Sequence, residues 1–197
     1  VYPAHIPPQT EGTIVSYYLE ATDALGQRSF YPPADATPDG TGTYIRDRYL
    51  VGYTPPLIFI NEFLADNELS NMDEAGERDD WVELYNAGDS PIALGNMYLT
   101  DDLTEPMKWG FPPDMVISPH AYQLIWCDGD GDQGPNHASF KLSREGEALA
   151  LFDSGTGLII DWLAFGRQHN NVSYGRRPDN ADLWTFMRPT PGGRNEK

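Results

Sequence analysis

The sequence predicts an all-β protein built as a sandwich or barrel, on three observations. Turn formers are abundant, with 19 glycines and 17 prolines in 197 residues. Aromatic residues reach 12%, the composition of half-buried pleated strands rather than of surface helices. From Ile58 onward, short apolar runs alternate with turn clusters: "LIFINEFL", "DWVELYNAG", "IALGNMYLTDD", "AYQLIWCDG", "EALALFDSGTG", "LIIDWLAFG", "VSYGRR" and "DLWTFMRP". Eight such runs at fairly even spacing are the signature of stacked antiparallel sheets. No segment carries an amphipathic helical stripe over three turns.

Charge and cysteine content narrow the function classes. Thirteen basic residues stand against 30 acidic ones, for a net charge of -17. Nucleic acid is excluded as a partner, because phosphate binding needs a basic face that releases counterions. An anionic membrane surface is excluded on the same ground. Cys127 is the only cysteine, so no intrachain disulfide forms. No apolar run approaches the ~18 residues that span a bilayer. Nothing at Val1 reads as a signal peptide.

Two segments differ in texture. In the first, residues 1–53, "GTIVSYYLEATDALGQ" alternates Val15, Tyr17 and Leu19 with Ile14, Ser16 and Tyr18, as a half-buried strand does. "DALGQ" then supplies a hairpin turn in which Gly26 is free to take positive φ. A proline-rich stretch, "YPPADATPDGTG", precedes a further strand-like run, "TYIRDRYLVGY". The segment resembles the C-terminal part of an immunoglobulin-like or fibronectin type III-like domain. Two or three strands do not close a sandwich, so the segment is expected to pack on a neighbour, exchange strands with another copy, or stay partly mobile. "YTPPL" marks the boundary, since consecutive prolines favour an extended linker.

The second segment, residues 54–197, contains seven pieces in a characteristic order. They are "INEFLADN", "DWVELYN", "LGNMYLTDD", "WGFPPDMVISPHAYQLIWCDGD", "HASFKLSREGEALALFD", "SYGRRPDNADLWTF" and "PTPGGRN". Together they resemble the lamin tail domain in its bacterial form, over about seven tenths of the chain. The resemblance implies an immunoglobulin-like β-sandwich without a catalytic role. It also implies an extracellular or cell-surface module beside fibronectin-like domains, nucleases, phosphatases or spore-coat-type kinases. A nuclear-lamin role is not implied, because no heptad rod precedes the domain.

Several residues have direct physical readings. In "DWVELYN", Val82 and Leu84 are expected to face the core, with Trp81, Glu83 and Tyr85 on the other face. Asp80 and Asn86 are placed to cap turns. Gly95 and Gly146 are assigned to turns needing positive φ. Glu62 and Glu83 are expected on paired strands, where two like charges repel unless a cation, an arginine or a proton bridges them. Arg176 and Arg78 are the available arginines. "PTPGGRN" reads as the exit from the last strand.

Candidate chemistry centres on "CDGDGDQGPNH". Asp128, Asp130 and Asp132 alternate with glycines and are the candidate calcium ligands. An EF-hand is excluded, because its sixth position would be Gln133 and its twelfth Ser139. A solvated turn between strands is the plainer alternative. The acidic loop 65–80, with Asp66, Asp73, Glu74, Glu77, Asp79 and Asp80, offers the same choice and has room for a short helical turn. Asp101 and Asp102 read as turn caps. His5, His120, His137 and His169 show no zinc-type spacing, and no G-x-S-x-G elbow occurs. Cys127 reads as a small buried hydrophobe. Asn171-Val172-Ser173 is a formal glycosylation sequon read as a turn. The five tryptophans read as core, with Trp109 the exception beside a proline-rich loop.

The function expected from the sequence is a non-catalytic adhesion, scaffolding or targeting module of a larger secreted or cell-surface protein. Two alternatives stand beside it: an accessory domain of an extracellular enzyme, and a carbohydrate-binding module. The expected partner is a protein or surface glycan, with neither nucleic acid nor membrane insertion. Strand exchange between copies follows from the truncated first segment.

Overall fold

The computed structural model describes residues 6–17, 19–22, 25–31 and 48–195. The chain divides into two compact units, Val1–Pro55 and Pro56–Lys197. In the first, β1 (Ile14–Ser16) pairs with β4 (Arg48–Leu50), and β2 (Leu19–Thr22) forms a hairpin with β3 (Arg28–Tyr31). Gly26 sits in that hairpin turn at φ 80°. The proline-rich stretch after Tyr31, and the start of the strand-like run that follows it, lie outside the described residues.

The second unit is a β-sandwich. Its strands are β5 (Ile58–Leu64), β6 (Asp80–Asn86), β7 (Ile92–Ala93), β8 (Met97–Thr100), β9 (Trp109–Gly110), β10 (Val116–Ile117), β11 (Tyr122–Cys127), β12 (His137–Ala138), β13 (Glu147–Asp153), β14 (Leu158–Phe165), β15 (Ser173–Arg176) and β16 (Trp184–Met187). A six-stranded sheet runs β12-β11-β6-β5-β15-β16, and a four-stranded sheet runs β14-β13-β8-β9. β7 and β10 form a small separate ladder. No helix occurs among the described residues. All eight sequence-predicted runs contain strands. The run "IALGNMYLTDD" is split in two by the turn at Gly95, and β9, β10 and β12 are two-residue strands too short to show a period.

The core lies between the two sheets. Ile60, Phe63, Val82, Leu84 and Ile125 from the large sheet meet Leu99, Leu149, Leu151 and Leu163 from the small one. All are at most 7% exposed, and fully burying each such side chain stabilises by about 1.5–3 kcal/mol. The rings of Phe63 and Phe165 close to 4.3 Å across the core. Within β6 the alternation is as expected. Val82 and Leu84 face the core, while Trp81 joins a second cluster with Leu64 and Trp126 on the outer face.

A bulge in β5 sets the placement of its side chains. Ile60 pairs with Leu84 and Phe63 pairs with Val82, so both face the core although they are three residues apart. Asn61 is the extra residue, and it shifts Glu62 to the outer face, opposite Glu83. Without the bulge Glu62 would point into the apolar interior.

Two glycines differ in their reasons for being glycine. Gly146 has φ 111°, as a positive-φ turn position requires. Gly95 does not adopt positive φ; a Cβ there would meet the Pro113 carbonyl oxygen at 2.6 Å. Close backbone approach, rather than torsion, selects glycine at Gly95.

Candidate functional site

Two buried polar clusters lie outside the apolar core. The first joins two acidic loops. Asn67, 7% exposed, organises loop 65–80 from within. Its amide donates to the carbonyls of Asn71 (3.0 Å) and Asp79 (2.8 Å), and its oxygen accepts from Ser70 N (3.0 Å). Those bonds replace the helical turn for which the loop has room. Asp73 then closes a tight turn, accepting from Glu77 N at 2.7 Å.

The loop after β11 comes to the same place. Asp128 is buried, and its Oδ1 accepts from Asp130 N at 2.8 Å. Its Oδ2 pairs with His137 Nδ1, and His137 Nε2 lies 3.5 Å from Glu74 Oε2. Gln133 ties the loops further by donating to Glu77 at 2.9 Å. Ligand-type atoms of Asp73, Asp128 and His137 all lie within 4.8 Å of one another, as do those of Asp73, Glu77 and Asp79. Asp130 and Asp132 are exposed. The structure therefore groups Asp128 with His137 and the distant Asp73, not with its two neighbours in sequence.

Electrostatics in this cluster follow from burial and crowding. Burial raises the Asp79 carboxyl, and the Asp128, Asp73 and Glu77 charges raise it further. Burial lifts Asp80 to about 7, against the Asn67 N–H that favours its ionised form. Burial works against the His137 imidazolium, but the Asp128 and Glu74 carboxylates outweigh it and raise its pKa.

The second cluster lies on the outer face of the large sheet. Glu62 and Glu83 are both 0% exposed. The segment "PTPGGRN" folds across them. Thr190 donates to Glu62 from its N–H (3.0 Å) and its hydroxyl (2.7 Å), and the Gly192 N–H donates to Glu83. Asn195 pins the segment, donating to the carbonyls of Asn61 (3.1 Å) and Arg176 (2.7 Å). Asp179 accepts from Asn61, from Asn195 N and from the Tyr122 hydroxyl. Neither arginine bridges the glutamates. Arg176 turns to Asp161, at 2.8 and 3.1 Å, and Arg78 is exposed and donates to the Ser70 carbonyl. Burial raises both glutamates, Glu83 to about 8, so Glu83 is protonated at neutral pH.

A family model described as Lamin Tail Domain matches residues 53–167, more than half of the chain. The chain belongs to the lamin tail domain family. No curated protein is similar enough to the chain to count as a relative. In this lamin tail domain the sheet does not end where the match does, since β15 and β16 extend it beyond residue 167.

Other sequence-predicted residues fall as follows. Trp81 and Trp126 are buried on the outer face, and Trp109 stacks edge-on against Phe111 at 4.8 Å and packs on the core. Trp109 is therefore not the open aromatic surface expected from its proline-rich neighbourhood. Cys127 is buried, and burial pushes its thiol up. Asp102 caps a turn through Thr104, and Asp101 pairs with Lys108 at 2.6 Å. Asn171 holds positive φ while its side-chain oxygen accepts from Glu68 N and Leu69 N. In the sequence, Asp73 is weighed only within its own loop and His137 only by its spacing from other histidines; 64 positions separate the two, and their convergence is tertiary.

Proposed function

We propose that this lamin tail domain is a non-catalytic adhesion or scaffolding module of a larger secreted or cell-surface protein. The observation that carries this reading is the use made of the sandwich. Side chains from both sheets fill its interior, and its polar clusters brace loops and the C-terminal segment. A depression of about 450 Å³ lined by Leu69, Ser70, Asn171, Arg188, Pro189 and Pro191 gathers no nucleophile with a base. The net charge of -17 supports a soluble surface module and opposes nucleic-acid binding. The first unit reads as the C-terminal part of a fibronectin type III-like or immunoglobulin-like neighbour.

The reading is tested in cells that express the full-length protein. Protease added to intact cells should remove the domain, and the purified chain should not turn over nuclease, phosphatase, esterase or glycosidase substrates. Full protection from external protease in intact, but not lysed, cells would overturn the surface assignment. Turnover of any of those substrates would overturn the non-catalytic one.

A second reading, glycan binding, has one specific support. Tyr174 stacks on Trp184 and packs on Phe186 along the edge strand β16, and Phe186 is 42% exposed. Quenching of tryptophan fluorescence across a glycan panel would support it. A flat response across the panel would remove it.

A further inference from the structure

We propose that Asp73, Asp128 and His137 form a binding site for one divalent transition-metal cation of the zinc class, bridging loop 65–80 and the loop after β11. Three observations carry this. The ligand atoms of the three residues lie within 4.8 Å of one another, the separation expected of donors gathered around one ion. The Asp128 and His137 side chains are only 2% and 1% exposed, so these donors are fixed by the fold rather than free in solvent. Asp73 Oδ2 is shut off from solvent and has no hydrogen-bond partner, although a buried carboxylate oxygen ordinarily has one.

The donor set selects the class of ion. Calcium and magnesium take oxygen ligands, whereas imidazole suits zinc and its transition-metal neighbours. A site with one histidine and two aspartates is a mixed nitrogen and oxygen set of the zinc kind. Asp79 and Glu77 share Asp73 in a second, all-carboxylate group, and they stand beside the site as further oxygen donors. One ion would cross-link segments that also meet through Gln133–Glu77 and His137–Glu74. This differs from a calcium loop on Asp128, Asp130 and Asp132, because only Asp128 is shared.

The test is calorimetric titration of the whole chain, after treatment with chelator, with zinc, manganese, calcium and magnesium chlorides in turn. The expected result is one equivalent of zinc bound in the micromolar range or tighter, with calcium and magnesium giving no saturable heat at the same concentrations. Asp73→Asn keeps the oxygen that accepts from Glu77 and removes the partnerless one, so it should weaken zinc at least about tenfold without lowering the melting temperature of the metal-free chain. His137→Ala should do the same to zinc. Cobalt titrated in place of zinc should give visible absorption bands that His137→Ala abolishes. His120→Ala and His169→Ala, both at exposed positions, should bind zinc as the natural chain does. Absence of saturable zinc binding would overturn the proposal. Equal binding in Asp73→Asn and the natural chain, or a preference for calcium, would overturn it too.

Discussion

Glu62 and Glu83 sit directly opposite each other on β5 and β6, and both are fully buried. Two like charges in that position are tolerated because they are not both charged. Burial and the neighbouring Glu62 carboxylate hold Glu83 protonated to about pH 8, while Thr190 and Gly192 supply donors to the pair. Protonation of Glu83 relieves the repulsion, and the C-terminal segment, not an arginine, supplies the donors.

Stability should therefore fall as pH rises through the upper part of the range. The folded-state pKa of Glu83 lies above its unfolded value, from 4.5 to about 8. Its contribution is complete below about pH 4.5 and is lost progressively up to about pH 8. Glu83→Gln removes this proton, so its melting temperature should depend less steeply on pH between 5 and 8.5. Parallel curves for the two proteins would contradict a protonated Glu83.

Arg176 is the tie between the sheets. The residue is 5% exposed; its Nη2 donates to both carboxylate oxygens of Asp161 on β14, Nη1 to the Ala181 carbonyl, and Nε to the Ile60 carbonyl beside the β5 bulge. Asp161 in turn accepts from Ile60 N at 2.8 Å. Removing one partner of a buried pair costs about 3–5 kcal/mol. Arg176→Ala should lower the melting temperature by roughly 2–4 °C for each kcal/mol lost. Arg176→Lys should recover little of it, because one ammonium cannot replace three nitrogens that reach Asp161, the Ile60 carbonyl and the Ala181 carbonyl. Chemical denaturation of the three proteins measures the order.

The glycine positions predict a graded series. Gly95→Ala drives a Cβ onto the Pro113 carbonyl at 2.6 Å, and overpacking of this kind costs about 1–3 kcal/mol. Gly146→Ala meets the Phe165 carbonyl at 2.6 Å and also holds positive φ, so it should cost more. Gly157→Ala has positive φ but open space, and should cost about 1 kcal/mol or less. Equal losses at all three sites, read from urea midpoints, would contradict these assignments.

What was legible in the sequence, and what was not, follows from the range of the interactions. The alternation of "DWVELYN" is local, so the faces of Val82, Leu84 and Trp81 could be read directly. The opposition of Glu62 and Glu83 was legible as well, but its resolution was not. The bulge at Asn61 breaks the period of β5, and the residues that satisfy the pair lie more than a hundred positions away at Thr190 and Gly192. Arg176 was the natural bridge by charge alone, yet Asp161 claims it across the sandwich. Asp130 and Asp132 adjoin Asp128 in sequence but are exposed, whereas the ligand-type atoms that approach Asp128 belong to His137 and Asp73. Gly95 was assigned by residue type, and the real constraint is a neighbouring carbonyl.

The central structural claim is that residues 189–195 are part of the sandwich rather than a tail. Thr190, Gly192 and Asn195 satisfy Glu62, Glu83, Asn61 and Arg176. Leaving such buried groups unpaired costs about 1–3 kcal/mol each. The direct measurement is the urea unfolding curve of the whole chain against a chain ending at Arg188. The account predicts a loss of several kcal/mol. Coincident curves would contradict it.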